Sequence, residues 1–410
     1  MRIPFPKGVE IVVSADKTKN PRDLRPDIGM RIPLEHSRQQ HRRHAYIEAP
    51  FDDISTALCF ELKYNNSDDP FDDFEPTDSD PISLFEASST GARSTRGQLA
   101  MYADRQFKHQ PVLFLFQVVL TGCFARLLYW DRSGATVTKA FNILEQPEVL
   151  VDFLWRFAHA TERERGWDES VVVASRSEQR QFADAVRIFG AQGNDNVPPG
   201  LAAELDSETR SESYPVLKVR VPMDFVADRS VAGNGDQYRE YLIRRPFYST
   251  CSTPGRGTRG YLAYDVRDGV FRFLKDTWCS SHSASLQEAE AYRLLKQRQV
   301  PHVLLPLRCG LVRGSDGIVH STKNHTFATK TGEDRSSYAR GYSHARLVQD
   351  IACDLRGLRN SKELVQVLLH ITKCKPSVDF CFVTVLELSH PIRYRTSACS
   401  QSYAPRYHVL

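Results

Sequence analysis

Apolar positions recur along this chain with two periods, and the places where the period changes outline its elements. Short apolar runs and two-residue alternation at 58–64, 112–121 and 124–131 predict strands. The greasiest run, 112–120, is broken by Gln117. It is far short of the ~20 residues a membrane helix needs, so it reads as a buried strand. Helical spacing at 96–108, with Leu99, Tyr102 and Ala103 recurring, and at 147–163 and 177–189 predicts helices. Further on, 214–221, 239–249, 259–266 and 270–276 are strand-like, and Asp268-Gly269 closes a hairpin between the last two. A helix follows at 286–298, a strand at 346–355 and a helix at 361–372. That last helix has Ser361 as N-cap, Glu363 in its first turn, and Leu364, Val367 and Leu368 on one face.

These elements group into two units. Residues 1–45 are basic, rich in proline and irregular, and read as a poorly ordered arm. Residues 46–187 form one α/β domain. Residues 188–213 carry the turn formers and charges of a linker. Residues 214–373 form a second domain, and 374–410 a divergent tail. Between Asp68 and Glu86 lie eight acidic residues and no Lys or Arg, most simply a solvated, mobile loop.

Composition narrows the function classes only a little. The chain has 410 residues, 41% hydrophobic and 25% charged, with a net charge of +4. That is ordinary globular composition, without a strong global attraction for nucleic acid or membrane. The nine cysteines show no Cys-x-x-Cys pair and no zinc-finger spacing, which reads as reduced thiols of an intracellular protein, cytoplasmic or nuclear. The N-terminus lacks the layout of a secretion signal.

The sharpest chemistry lies between residues 253 and 290. Gly255, Gly257 and Gly260 form a G-x-G-x-x-G loop, Lys275 ends the strand FRFLK, and Glu288 and Glu290 open the next helix. Phosphates are held by closely approaching backbone N–H groups, which glycine permits. The same glycine pattern marks dinucleotide sites, but there a helix follows the loop, whereas here the strand GYLAYDV does. Strand–loop–strand followed by a lysine is the order of a protein-kinase nucleotide lobe. Glu290 is the first choice as the carboxylate that holds Lys275, and Glu288 the second. The plainer reading is a surface lysine and glutamates serving the helix dipole.

Several strings resemble the fungal-type protein kinase family: TRGYLAYD, FLKDTW, EAEAYRLLKQRQVPHVLLPL, HARLVQDI and SKELVQVLLH. RGQLAMYADRQFKHQ, ARLLYWDRSGATVTKAFN and FLWRFAHATERERGWD upstream are similar to that family's N-terminal region. The resemblance runs from about Glu61 to Lys373. It implies a kinase-like fold, ATP as the nucleotide and a Ser or Thr hydroxyl as acceptor. The loop glycines, Lys275 and the helix glutamate would be the cofactor-binding residues. The expected fold class is therefore α+β: a mixed α/β N-terminal domain, then a kinase-like N-lobe with a truncated C-lobe. The family's pattern continues into a His-Arg-Asp loop and a metal-binding aspartate. This chain has no His-Arg-Asp, and Asp379-Phe380-Cys381 comes too soon to be the metal motif. The expectation is a catalytically incomplete member, with no catalytic residue and with Mg2+ relevant only to a complete catalytic lobe. A pseudokinase or interaction protein is the alternative. An N-lobe without its partner lobe should also expose the apolar face of helix 361–372.

A second constellation lies upstream. Asp52-Asp53 precedes a strand with Glu61-Leu62-Lys63, and Gln98 sits on the following helix, which resembles the PD-(D/E)xK nuclease core. Asp53 and Glu61 are the candidate metal ligands, since two strand-borne carboxylates can hold a hard cation. Strand alternation puts Glu61 and Lys63 on one face. The bland alternative is an ion pair on an edge strand, and the acidic 68–86 segment argues against a nucleic-acid groove there. The implied partner is thus a nucleotide rather than nucleic acid or membrane.

Overall fold

The computed structural model of the chain describes residues 6, 9–13, 26–32, 56–73, 85–191, 214–226, 237–250, 254–280, 288–324, 326, 340–351, 361–374 and 407–409. A first sheet contains β1 (Glu10–Val13), β2 (Ile28–Arg31), β3 (Thr56–Lys63), β4 (Leu115–Thr121), β5 (Phe124–Asp131) and β6 (Gly134–Val137), in that order across the sheet, with β7 (Phe141–Asn142) paired to β5. Helix α1 (Thr90–His109) connects β3 to β4, and these two strands are parallel, as a helical crossover requires. Ser89 caps α1 by accepting from the Ala92 N–H at 3.0 Å. Helix α2 (Pro147–His159) covers the other face through Phe153 and Phe157, packed with Met30, Leu58 and Val118.

The second sheet begins earlier than the expected domain boundary. After β8 (Val171–Val173) and α3 (Arg176–Ala191) come β9 (Leu217–Pro222), β10 (Phe225–Val226), β11 (Tyr238–Ile243), β12 (Tyr248–Ser249), β13 (Arg259–Asp265) and β14 (Val270–Ser280). Helix α4 (Glu288–Gln297), β15 (Arg308–Leu311), β16 (Tyr342–Gln349) and α5 (Ser361–Cys374) complete it. The strand order is β10-β15-β16-β14-β13-β11-β9-β8, with β12 paired to β13. A last strand, β17 (Tyr407–Val409), adds parallel to β6 in the first sheet. Because β8 pairs with β9 and α3 packs Phe182 and Val186 on Tyr264 and Phe271, residues 171–191 belong with the second sheet. The boundary expected at 187 does not follow the packing, because the apolar face of α3 is buried there rather than on the first sheet.

Alternation along β14 assigns the two faces of the second sheet. Leu274 pairs with Tyr261 and Val348, and all three lie in one core with Leu99 and Phe107 of α1 and Leu128 and Trp130 of the first sheet. Even-numbered β14 residues therefore face the first sheet. Odd-numbered ones face outward, where Phe271 meets α3, and Leu347, opposite Lys275, meets Tyr292 and Leu295 of α4.

Between the sheets lies a buried network of charge. Asp276 receives His344 Nε2 at 2.7 Å, Arg346 Nε at 3.2 Å and Arg259 Nη2 at 3.3 Å. Arg346 also bonds Asp168 at 2.6 Å, Ser170 at 2.7 Å and the Arg220 carbonyl at 2.7 Å. Arg259 bonds the Gln110 carbonyl at 2.8 Å, just past the C-terminus of α1, where carbonyls lack helical partners. The network ties three strands of the second sheet to the segment before β8 and to the end of α1.

Three expectations change. The arm 1–45 contributes β1 and β2, with Met30 fully buried. Four-residue strands between prolines carry too few alternations to stand out from an irregular segment. The start of the acidic segment is docked: Arg126, itself buried, bonds Asp69 at 2.9 Å and Asp73 at 2.5 Å, and donates to the Phe71 carbonyl at 2.9 Å. One buried guanidinium gathers carboxylates that composition alone assigns to solvent. The third concerns Glu61: β3 is flanked by β2 and β4, so the residue lies on an interior strand.

Asp276→Ala should destabilise the chain by about 3–5 kcal/mol in urea unfolding, since it strands buried cations. Arg163→Ala, which breaks a half-exposed pair with Asp316, should leave the unfolding midpoint nearly unchanged. Burial would raise both aspartates. Arg346, His344 and His320 nevertheless hold Asp168 below its ordinary value, and His344, Arg259 and Arg346 hold Asp276 well below it. Depressed folded-state values mean that this contribution is complete above about pH 4 and is lost as pH falls below it. An acid titration of Asp276→Ala should accordingly be shallower than that of the parent.

Candidate functional site

Lys275 lies on the outward face of β14, under α4. Its Nζ donates to Glu288 Oε1 at 3.0 Å and Oε2 at 3.1 Å. The two side chains are 8% and 12% exposed, so the pair is largely withdrawn from water. Glu290, the first choice from the sequence, does not make this contact. It forms an exposed ion pair with Arg293 three residues on. The reason is the helical period: Ala291, Tyr292 and Leu295 are the buried residues of α4, and Glu288 shares their face, whereas Glu290 is turned about 200° from it. The apolar stripe of the helix, read before its acidic residues, selects Glu288.

The glycine loop connects β12 to β13. Gly260 stands directly across the ladder from Lys275, and its missing Cβ admits the Phe273 ring at 3.0 Å. Gly255 and Gly257 take φ of 137° and 45°, conformations that favour glycine. The loop is not open. Gly255 N–H donates to the Arg132 carbonyl at 2.9 Å, and the Arg256 carbonyl accepts from Trp278 N–H at 2.8 Å. A Cβ on Gly257 would sit 2.2 Å from the guanidinium carbon of Arg132. Arg132 belongs to the tight turn between β5 and β6, so the first sheet supplies the seat of the loop. Its guanidinium stacks 4.4 Å over the Phe107 ring, and burial, with Arg259 beside it, brings its pKa down to about 10. Nothing local in the sequence connects Arg132 with the loop, since the contact spans two sheets.

A cavity of about 230 Å³ opens next to the pair, lined by Glu288, Arg293, Thr277, Cys279, Cys309 and Leu347 among others. That is below the ~300–1,000 Å³ of ordinary ligand pockets. Thr277 belongs to both cavity and loop, its hydroxyl lying 2.8 Å from that of Thr258. Burial pushes the Cys279 thiol up to about 11 and Cys309 up to about 12, so neither is a ready thiolate. Neither is in a disulfide, and neither are Cys59 and Cys123.

Asp168, His320 and His344 also bring metal-type ligand atoms within 4.8 Å of one another. Here the charge balance decides. Asp168 and Asp276 already face Arg346 and Arg259, and a dication would leave two uncompensated positive charges in the core. The trio therefore reads as part of the structural network. Of the upstream candidates, Glu61 is buried and pairs with Lys63, while Asp53 lies outside the described residues, as does Asp379. On α5, Val365, Leu368 and Leu369 are exposed; of the face read from the sequence, Leu368 is among them and Val367 is half-buried.

A strand-borne lysine held by a helix-borne glutamate, beside a glycine loop in an α+β protein, is the class of site defined here. Residues 81–375 match the family described as fungal protein kinase, and the chain belongs to that family. No curated protein and no solved structure matches it. Among the described residues no helix is long and apolar enough to cross a membrane.

Gly257→Ala should destabilise the chain by about 1–3 kcal/mol, because a side chain there is strained at positive φ and meets Arg132. Gly97→Ala, with nothing within 4 Å of the new Cβ, should be neutral or mildly stabilising in the same thermal scan.

Proposed function

We propose that this fungal-kinase chain binds ATP on the second sheet and does not itself transfer the γ-phosphoryl group. The buried Lys275–Glu288 pair carries this reading. In phosphoryl-transfer sites of this type a strand lysine contacts the α- and β-phosphates and a helix carboxylate holds it in place. The residues present suit that role, since the lysine is fixed by two hydrogen bonds and the glycine loop crosses the ladder opposite it. In the arrangement described, Gly255 N–H is used by Arg132, so covering phosphates would require the loop to leave that seat.

Absence of turnover rests on the residues that chemistry needs. The 410 residues contain no His-Arg-Asp, hence no aspartate in the catalytic-loop setting that accepts the proton of a Ser or Thr hydroxyl. Mg2+ would enter only with a complete catalytic lobe. A purely interaction-based role is the second reading, and the docked loop is the observation that favours it.

A fluorescent ATP analogue separates the two. Binding should weaken by about tenfold or more in Lys275→Ala, as loss of a charge-assisted hydrogen bond worth ~1.5–3 kcal/mol predicts. Glu288→Gln should weaken it less, and Glu290→Gln by under about twofold, because Glu290 pairs with the half-exposed Arg293 rather than with Lys275. No binding by the parent chain would leave the interaction role. Phosphate incorporation that disappears in Lys275→Ala would overturn the claim of no transfer.

A further inference from the structure

After β15 the chain doubles back, and its return leg, residues 318–324, straps the second sheet to the first. The turn closes with Gly314 N–H donating to the Ile318 carbonyl at 2.9 Å. On the return leg His320 N–H donates to the Val312 carbonyl at 3.0 Å, and the His320 carbonyl accepts the His344 N–H at 2.9 Å. Thr322 N–H donates to the Tyr342 carbonyl at 3.0 Å. The leg then reaches the first sheet. Asp131 Oδ2 accepts the Lys323 N–H at 2.6 Å and the Asn324 N–H at 2.8 Å. The fully buried Asn324 side chain donates to the Gly134 carbonyl at 2.8 Å. Asp131 precedes Arg132, so the strap grips the same β5–β6 turn that seats the glycine loop.

His320 is the titratable joint of this strap. Its Nδ1 lies 3.7 Å from Asp168 Oδ1 and has no hydrogen-bond partner among the described residues. His344 Nδ1 lies 3.7 Å from the other oxygen, Oδ2, equally without a partner there. The carboxylate is not free to turn toward either ring. Its Oδ1 accepts the Ser170 N–H at 2.9 Å and hydroxyl at 2.5 Å, and its Oδ2 accepts Arg346 at 2.6 Å. On the outer side, a Cβ built on Gly314 would lie 3.4 Å from His320 Nε2, 3.3 Å from Glu169 Oε2 and 2.9 Å from Asp316 Oδ1. Those two carboxylates are already paired with Arg163, at 3.4 and 2.6 Å. Deeper in, Asp276 faces Arg259 and Arg346. A proton on His320 thus adds an unmatched positive charge to a cluster whose acids are engaged.

We propose that His320 makes this strap pH-operated: protonation expels its imidazole from beside Asp168, and residues 320–324 leave the β5–β6 turn. The imidazolium then regains water. The strap is the part that gives way, because residues 315–318 of its turn are exposed while Asp168 and His344 are held by the core network. Burial holds His320 below its ordinary value of 6.5; Asp168 opposes this, and His344 and Arg346 add to it. A depressed folded-state value means that the closed strap is fully stable above about pH 6.5 and loses stability as pH falls below it. Asp168 and Asp276, held below the ordinary aspartate value, stay ionised across that range. The reading is independent of nucleotide binding on the second sheet.

Hydrogen exchange of the full chain, corrected for the intrinsic rate of each amide, tests this. Protection of the Lys323 and Asn324 amides should fall about fivefold or more from about pH 7.5 to about pH 5, as a proton taken up on opening allows. Amides of β13 and β14 should keep their protection over the same range. In His320→Gln, which cannot titrate, the strap should show no such pH dependence. The proposal is overturned if strap protection in the parent does not change with pH. It is overturned equally if β13 and β14 lose protection to the same extent, or if a folded His320→Gln responds like the parent. Should that variant fail to fold by its melting profile, histidine-ring nuclear magnetic resonance of the parent decides. A His320 ring that titrates below about pH 6.5, together with the loss of strap protection, supports the strap, and titration at or above that value overturns it.

Discussion

A carboxylate buried between two sheets must be given its counter-charge by the protein, and Asp276 receives it from three side chains at once. His344, Arg346 and Arg259 converge on it from neighbouring strands, and Arg346 and Arg259 then reach across to Asp168 and to the end of α1. Water cannot substitute for any of these partners in the core, so the placement of the second sheet against the end of α1 and the segment before β8 is set by where these groups can meet. The apolar residues around them, Leu274, Val348, Leu128 and Trp130, supply area, and the polar network supplies register.

Strand β14 turns that constraint into a site. Asp276 points inward, so its neighbours Lys275 and Thr277 must point outward. The inward residue is held by Arg259, His344 and Arg346 of the neighbouring strands, and the outward lysine by Glu288 of α4. The glycine loop sits at the junction, its Arg256 carbonyl bonded to Trp278 and Gly257 pressed against Arg132. Any movement of the loop toward an anion above Lys275 would have to break contacts with the first sheet. The N-terminal unit is thus part of the environment of Lys275 and the glycine loop.

The first sheet handles charge by the same rule with different outcomes. Arg126 collects Asp69 and Asp73 and is satisfied on all sides. Glu61 pairs with Lys63, while Asp27 accepts the neighbouring Leu62 N–H and the Glu61 Oε2 has no hydrogen-bond partner among the described residues.

The residues by themselves determined most of the elements. The strands at 56–63, 124–131 and 259–265, helix α3 and helix α4 follow local periodicity closely, because the alternation of apolar and polar side chains records which face is buried. The glycine loop, Lys275 and the pair Glu61-Lys63 were legible for the same reason: each is a short-range pattern. The tertiary structure decided which residues meet. It selected Glu288 over Glu290 by the face of α4, and brought Asp27 opposite Glu61 over thirty-four positions of chain. It seated the glycine loop on Arg132 and moved β8 and α3 to the second sheet. Local pattern states that a side chain is buried or faces a neighbour, but the identity of that neighbour is a long-range property, fixed only when the sheets close on one another.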